Sequence, residues 1–482
     1  MSRGAWTTLL LLVAACDATK DPWHHPRCDL HLPGYTCPAG SVVARCNSSA
    51  DCTKELQSAV DSCCPLVTFP GPFVYTIHTG LVLRSNMTLF LEPGVELVAQ
   101  RGTFMDTEGL VSAFNVSNVS IVGNGAQMRM WKQDYARPEL GYKFSEARPG
   151  LWVVDATDMV ISGLAISNTG GDCVELVNVQ RAHLSGLTLD NAWRNALSIV
   201  GGIDVLVEGC TFSNTGQGQG TAPMNAVDIE PDDQIQPSVN LTFRDCVALN
   251  NMGGGFDVSL RKNRIAALYQ PPNRPLSITF DNCSVHGTGG FHPVTKDKWP
   301  HGMPTMQNGF TVQGIFSGTK GFVRIANCEV TDTQRPGLWF ADISPDGAQL
   351  IVENVSLRRT GSNHTCEAPA SGLQHHTIPT APIVIVNECR LGLPYCYNIS
   401  SCCAAHFSNV SVEDTVNRPF LHLDAAALNP RDTHGVKRND VSGQITVRNP
   451  FGAKGYGCAI GGNGSTGSVA TTLTVQCANE LA

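Results

Sequence analysis

The chain has 482 residues, of which 42% are apolar and 15% charged, with 47 glycines. This composition excludes a disordered chain, and the length exceeds one ordinary core. The formal charge of −8 comes with no basic run, which excludes nucleic acid as the expected partner.

The N-terminus, "MSRGAWTTLLLLVAAC", sets one Arg before a short apolar run and small residues, the pattern of a secretory signal peptide over 1–16. The run is too short to span a bilayer, and no membrane insertion is expected. Residues 17–65 form a Cys-rich segment. Within it "CTKELQSAVDSC" (52–63) predicts the one convincing helix, with Leu56 and Val60 on its apolar side. An open end of a repeat array exposes strand edges and has to be covered, so this helix is expected to be the cap, stapled by six cysteines from Cys28 to Cys64. The 19 cysteines and eleven Asn-x-Ser/Thr sequons favour a secreted, extracellular or cell-wall glycoprotein with disulfides.

From residue 66 onward the chain repeats. Asn168, Asn191 and Asn214 lie 23 residues apart, each after a short strand-like run of alternating apolar and polar residues. Repeats of this length built from short strands predict an all-β fold, a single right-handed parallel β-helix with one coil per repeat. It is expected over 66–360, with Cys-rich coils of the same helix over 361–482. Coils stack at about 4.8 Å, so equivalent residues form columns. One inward column reads Leu164, Leu187, Cys210, Cys246, Cys283, Cys328 and Val355. Cysteine replaces leucine there, which predicts unpaired core thiols. Asn168, Asn191, Asn214 and Asn250 form a turn column whose amides can pair along the stack.

The segment "MNAVDIEPDD" (224–233) crowds Asp228, Glu230, Asp232 and Asp233 into six residues. Alternation turns Val227 and Ile229 inward and Asp228 outward. The outward column then reads Glu175, Ser198, Asp228, Asp257, Thr311 and Trp339, beside a second column of Asp172, Asn195 and Asn225. The carboxylates are therefore expected on the solvated side of a parallel sheet. Asp228 and Glu230, two residues apart on a strand, would be about 6.5–7 Å apart. Inverting glycosidases hold acid and base about 6.5–9.5 Å apart, and close carboxylates drive one pKa upward. The same cluster also suits Ca2+, with its six to eight oxygen ligands. Insertions at 261–275 and 286–307 bring Arg261, several lysines, three histidines and Trp299 to the walls, and Arg194 projects at the start of this face.

Residues 45–360 resemble the pectin-lyase-like superfamily, the right-handed β-helix proteins related to polygalacturonases and pectate lyases. The likeness begins with "TKELQSAVDSCC" and "MTLFLEPGVELVAQ", and continues through "SNVSIVGNGAQM". It is closest to a group of the form "SGGDG…NxRQGIS…GTxPxAGIDxEPN", met here by Gly170, Gly171 and Asp172, then Asn191, Arg194 and Ser198, then Gly220, Thr221, Pro223, Asp228, Glu230 and Pro231. "WKQDY" and "SEARP" also look like that group and bring in Asp134, Tyr135, Glu146 and Arg148. Polygalacturonases use Asn-Thr-Asp and Arg-Ile-Lys. Here Gly170 follows Asn168-Thr169, and Arg-Ile-Lys is absent, so that specific activity is not carried over. The expectation is a polysaccharide-active enzyme, a glycoside hydrolase. Asp228, Glu230, Asp257 and Arg194 would be catalytic. Asp172, Glu175, Asn195, Asn225, Asp134, Tyr135, Glu146, Arg148, Arg261 and Trp299 would bind substrate. No cofactor is expected. The alternatives are a Ca2+-dependent lyase and a non-catalytic glycan-binding protein.

Overall fold

The computed structural model describes residues 40–46, 51–143, 146–232, 236–261, 275–289, 307–316, 318–344, 347–361, 381–386, 404–416, 418–424, 440–450, 460–461 and 472–478. The signal-like segment, Asp233, Trp299, the insertion lysines and histidines other than His286, and most terminal cysteines lie outside them.

Strands wind into three parallel sheets. One runs through Met87–Leu91, the starts of Ser117–Arg129 and Thr157–Ser167, then Ser238–Arg244 and Leu276–Asp281. A second runs through Thr188–Asp190, Thr211–Ser213, Val247–Asn251 and Ser284–Thr288. The third carries Leu151–Val154, the starts of Val174–Ser185 and Leu197–Glu208, then Val227–Ile229, Phe256–Ser259, Phe310–Ile315 and Leu338–Ile343. Each strand pairs in register with the next coil, as the 23-residue spacing predicts. The described parts of 381–478 continue the same stacking.

The core is built from columns. Phe256 stacks on Phe310 with centroids 5.0 Å apart, and Phe243 on Phe280 at 5.1 Å. Cys210, Cys246, Cys283 and Cys328 are buried free thiols, as expected from their exchange with leucine. Each touches a backbone carbonyl, as Cys328 Sγ does that of Ala326 at 3.0 Å.

The cap helix spans Thr53–Val60, with Leu56, Ala59 and Val60 buried. Cys46–Cys52 closes its N-terminus, and Cys63, Cys64 and Cys477 are also disulfide-bonded. Gln57 acts as a surrogate strand partner. Its Nε2 donates to the Val82 carbonyl at 3.0 Å, and its Oε1 accepts the Val82 N–H at 2.9 Å. This satisfies an edge that would otherwise template further pairing.

The sequons acquire a structural explanation. Asn86, Asn118, Asn240, Asn282, Asn354 and Asn409 all sit at turns with φ between 50° and 57°. Asparagine tolerates this left-handed conformation better than most residues. The following Met, Val, Leu or Cys turns inward, and the Ser or Thr after it faces out on the next strand. Asn118, Asn240, Asn282, Asn354 and Asn409 each donate their side-chain amide to an Asn or Asp of the preceding coil, at 2.5–3.1 Å. The turn-then-strand pattern thus favours the residues of the sequon at these six positions.

Candidate active site

The outward column forms as the alternation predicts. Trp152 pairs with Glu175, Glu175 with Ser198, Ser198 with Asp228, Asp228 with Asp257, Asp257 with Thr311, and Thr311 with Trp339. Trp152, at the foot of this column, was not anticipated. Its signal is in the sequence: "GLWV" at 150–153 matches "GLWF" at 337–340, and both tryptophans take the same outward position.

The solvated face expected for the carboxylates is corrected. Asp228 is 2% exposed, and Asp172 and Asp257 are 3% exposed. Glu175 and Glu230 remain half-buried. Arg194 lies across Asp172 and Asp228: Nη1 is 3.4 Å from Asp172 Oδ2, Nη2 3.7 Å from Asp228 Oδ2, and Nε 4.0 Å from Glu146 Oε2. The sequence places Arg194 at the margin of this face, and the fold brings it to the centre.

The second column is a hydrogen-bond ladder. Asp172 Oδ1 accepts the Asn195 N–H at 2.8 Å, Asn195 Oδ1 accepts the Asn225 N–H at 2.9 Å, and Asn225 Oδ1 accepts the Gly254 N–H at 2.7 Å. The amide nitrogens face the acids. Asn195 Nδ2 donates to Asp228 Oδ2 at 3.0 Å and to Ser198 Oγ at 3.0 Å, while Asn225 Nδ2 donates to Asp257 Oδ2 at 3.3 Å. Both asparagines are fully buried with their side-chain polar atoms engaged, which corrects their expected role as sugar ligands. Asp228 Oδ1 makes no hydrogen bond among the described residues.

The insertion carrying "WKQDY" and "SEARP" docks on the turn before Asp172. A Cβ on Gly171 would overlap the Glu146 carbonyl, and one on Gly170 would meet the Tyr135 ring. The glycine pair is the condition for this approach. Lys132 anchors the insertion: buried, its Nζ donates to Asn191 Oδ1 at 2.7 Å and to the Ala192 carbonyl at 2.9 Å. Burial pulls its pKa down to about 7.

Asp134, Tyr135 and Arg148, expected as sugar contacts, are structural parts of this insertion. Arg148 is 1% exposed and donates to the Phe104, Met105 and Lys143 carbonyls. Tyr135 is buried edge-on to Tyr142, at 5.0 Å, and under the Arg148 guanidinium, at 5.1 Å. Asp134 pairs with Arg101 at 3.2 Å. Only Glu146 of this set reaches Arg194. Arg261 pairs with Asp342 at 3.6 Å, and Asp232 sits in the expected turn with its N–H on Gln236 Oε1 at 2.6 Å.

The electrostatics separate the acids. Burial, then the charge of Glu230, pushes Asp228 up to about 8 against the pull of Arg194. Burial and the neighbouring Asp172 push Glu175 up to about 8. Burial also raises Asp172 despite Arg194. Burial alone would lower Arg194, but Asp172, Asp228, Glu230 and Glu146 more than offset it and keep the guanidinium charged. Among the described residues, no group of three or more His, Cys, Asp or Glu side chains is placed to hold a metal ion.

The coiled sheets and outward column define a right-handed parallel β-helix protein. The family model for the right handed beta helix region matches residues 104–268. Among solved structures, the chain is similar to a family 28 exopolygalacturonase from Yersinia enterocolitica, at 11% identity and TM-score 0.48, covering 90% of this chain and 77% of that one. It is similar to the A-module of a mannuronan C-5 epimerase from Azotobacter vinelandii, at 12% identity and TM-score 0.45, covering 88% and 95%. It is also similar to a polygalacturonase from Erwinia carotovora ssp. carotovora, at 11% identity and TM-score 0.43, covering 90% and 96%. No curated protein matches the chain significantly.

Proposed function

We propose that the protein is a polysaccharide-active enzyme, a glycoside hydrolase that cleaves an extracellular or cell-wall glycan. One observation carries this reading. Asp228 is a buried carboxyl whose Oδ1 has no hydrogen-bond partner among the described residues, and half-buried Glu230 stands two residues further along. A polar atom left this way is costly unless a ligand meets it.

In this reading Asp228, protonated near neutral pH, gives its proton to the glycosidic oxygen as the C–O bond breaks. Glu230 takes a proton from the water that attacks the sugar carbon. Glu230 directly follows the strand Val227–Ile229, and an extended step of two residues, about 6.5–7 Å, would suit inversion of configuration. Arg194 orients the acids, and Asp172, Glu175 and Asp257 tune them or hold sugar hydroxyls. The reading requires that sugar binding uncover Asp228. The N-terminal signal pattern and the Cys46–Cys52 disulfide support a place outside the cell.

The test is a glycan panel scored for new reducing ends and for ultraviolet absorbance, with and without chelator. Hydrolysis yields reducing ends without absorbance, and Asp228→Asn and Glu230→Gln each lower the rate by about 10²–10⁴-fold. An absorbing product abolished by chelator would replace this reading with a lyase. Glycan binding retained by both variants, with no turnover by the unaltered protein, would replace it with a binding protein.

A further inference from the structure

The two columns are matched donor to acceptor, coil by coil. Asp172 offers no amide, and the outward residue one coil on is Ser198 rather than an acid. Asn195 can donate, and it faces Asp228. Asn225 can donate, and it faces Asp257. Gly254 offers no side chain, and the next outward residue is uncharged Thr311, held by Asn308 of its own coil at 3.1 Å. Asp228 and Asp257 of the outward column thus each have an amide from the preceding coil aimed at them.

The match also tells the two oxygens of Asp228 apart. Oδ2 takes the Asn195 amide at 3.0 Å and lies 3.7 Å from Arg194 Nη2. Oδ1 takes neither. Asn195 is itself immobilised, with its backbone N–H on Asp172 and its Oδ1 on the Asn225 N–H. Four groups on three successive coils therefore set one carboxyl rotamer.

We propose that Asn195 is a positioning residue for Asp228, which fixes Oδ2 and leaves Oδ1 as the oxygen that exchanges a proton with substrate. Its catalytic part rests on the glycan-cleaving reading, whereas its structural part stands without it. Asn225 Nδ2 holds Asp257 Oδ2 in the corresponding way, at 3.3 Å. A neutral amide donor favours the ionised carboxylate, so losing it makes ionised Asp228 costlier.

The experiment is a double-mutant cycle on thermal stability from pH 4 to pH 9, using the unaltered protein, Asn195→Ala, Asp228→Asn and the double variant. The expected result is that Asn195→Ala destabilises more at pH 9 than at pH 4, and that this pH dependence vanishes when Asp228 is Asn. The same dependence in both backgrounds, or none in either, would overturn the proposal. Asn195→Ser, which keeps a short donor, serves if the alanine variant fails to fold, and is expected to show the same pattern more weakly.

Kinetics supply the second arm once a glycan is identified. Asn195→Ala is expected to lower kcat at least tenfold, to leave KM within twofold and to shift the alkaline limb of the pH–rate profile upward. A raised KM with unchanged kcat and profile would make Asn195 a sugar ligand instead. A coupled cycle with no turnover on any glycan would sink the hydrolase reading alone.

Discussion

Asp228 is the outward acid on which the Asn195 amide and the Arg194 guanidinium both converge. Its folded pKa, about 8, lies above its ordinary 3.8, so the folded state binds a proton that the unfolded chain releases between these values. Its contribution to stability is therefore fully present below pH 4 and is lost as pH rises toward 8. Asparagine cannot ionise. Asp228→Asn is expected to melt close to the unaltered protein at pH 4 and several degrees above it at pH 8–9, measured by calorimetry. Equal melting temperatures at both ends would mean that Asp228 is ionised in the fold. The column position of Asp228 is legible in the sequence because alternation fixes which way a strand residue points. Its burial is not, because Arg194 and the 146–148 segment arrive from elsewhere.

At the scale of one turn and its strand, side-chain stacks hold neighbouring coils together. Asn354 donates to Asn327 Oδ1 at 2.9 Å and accepts from Asn409 at 2.9 Å, with φ of 52°. Replacing it by Gln loses both the ladder and the left-handed tolerance, at a cost of about 1 kcal/mol or more. Ser356→Ala abolishes the sequon but spares the ladder, and should stay within about 0.5 kcal/mol of the unaltered protein. Urea unfolding of the two variants decides the matter: equal losses would return the sequon to a glycan role. The sequon residues have a local physical source in this fold. Asn in a left-handed turn, an inward apolar residue and an outward Ser or Thr are each favoured by the coil, and together they spell the same tripeptide.

At the scale of the whole molecule, net charge gives an expectation for which glycans bind. The chain carries −8 overall, and Arg194, the cation placed among the site's acids, already pairs with Glu146, Asp172 and Asp228. An anionic polyuronate meets repulsion that salt screens over about 10 Å at 0.1 M. Polygalacturonate is expected to bind at least tenfold more weakly than a neutral glycan of equal length at low salt, with the gap closing as salt rises. Titration calorimetry at two ionic strengths checks this, and a polyuronate preferred at low salt would contradict it.

The sequence by itself determined the winding: the 23-residue period, the inward thiols, the cap helix and the residues of the outward column. These follow from local rules, since each strand needs only its own alternation and the coil beside it. Tertiary structure alone decided that the acids are covered, that Asn195 and Asn225 hold carboxylates, and that Arg148 and Tyr135 pack an insertion against Gly170 and Gly171. The insertion's place depends on a segment without a period, which carries no column to read, and the targets of the two amides depend on side-chain contacts between neighbouring coils, which alternation does not set.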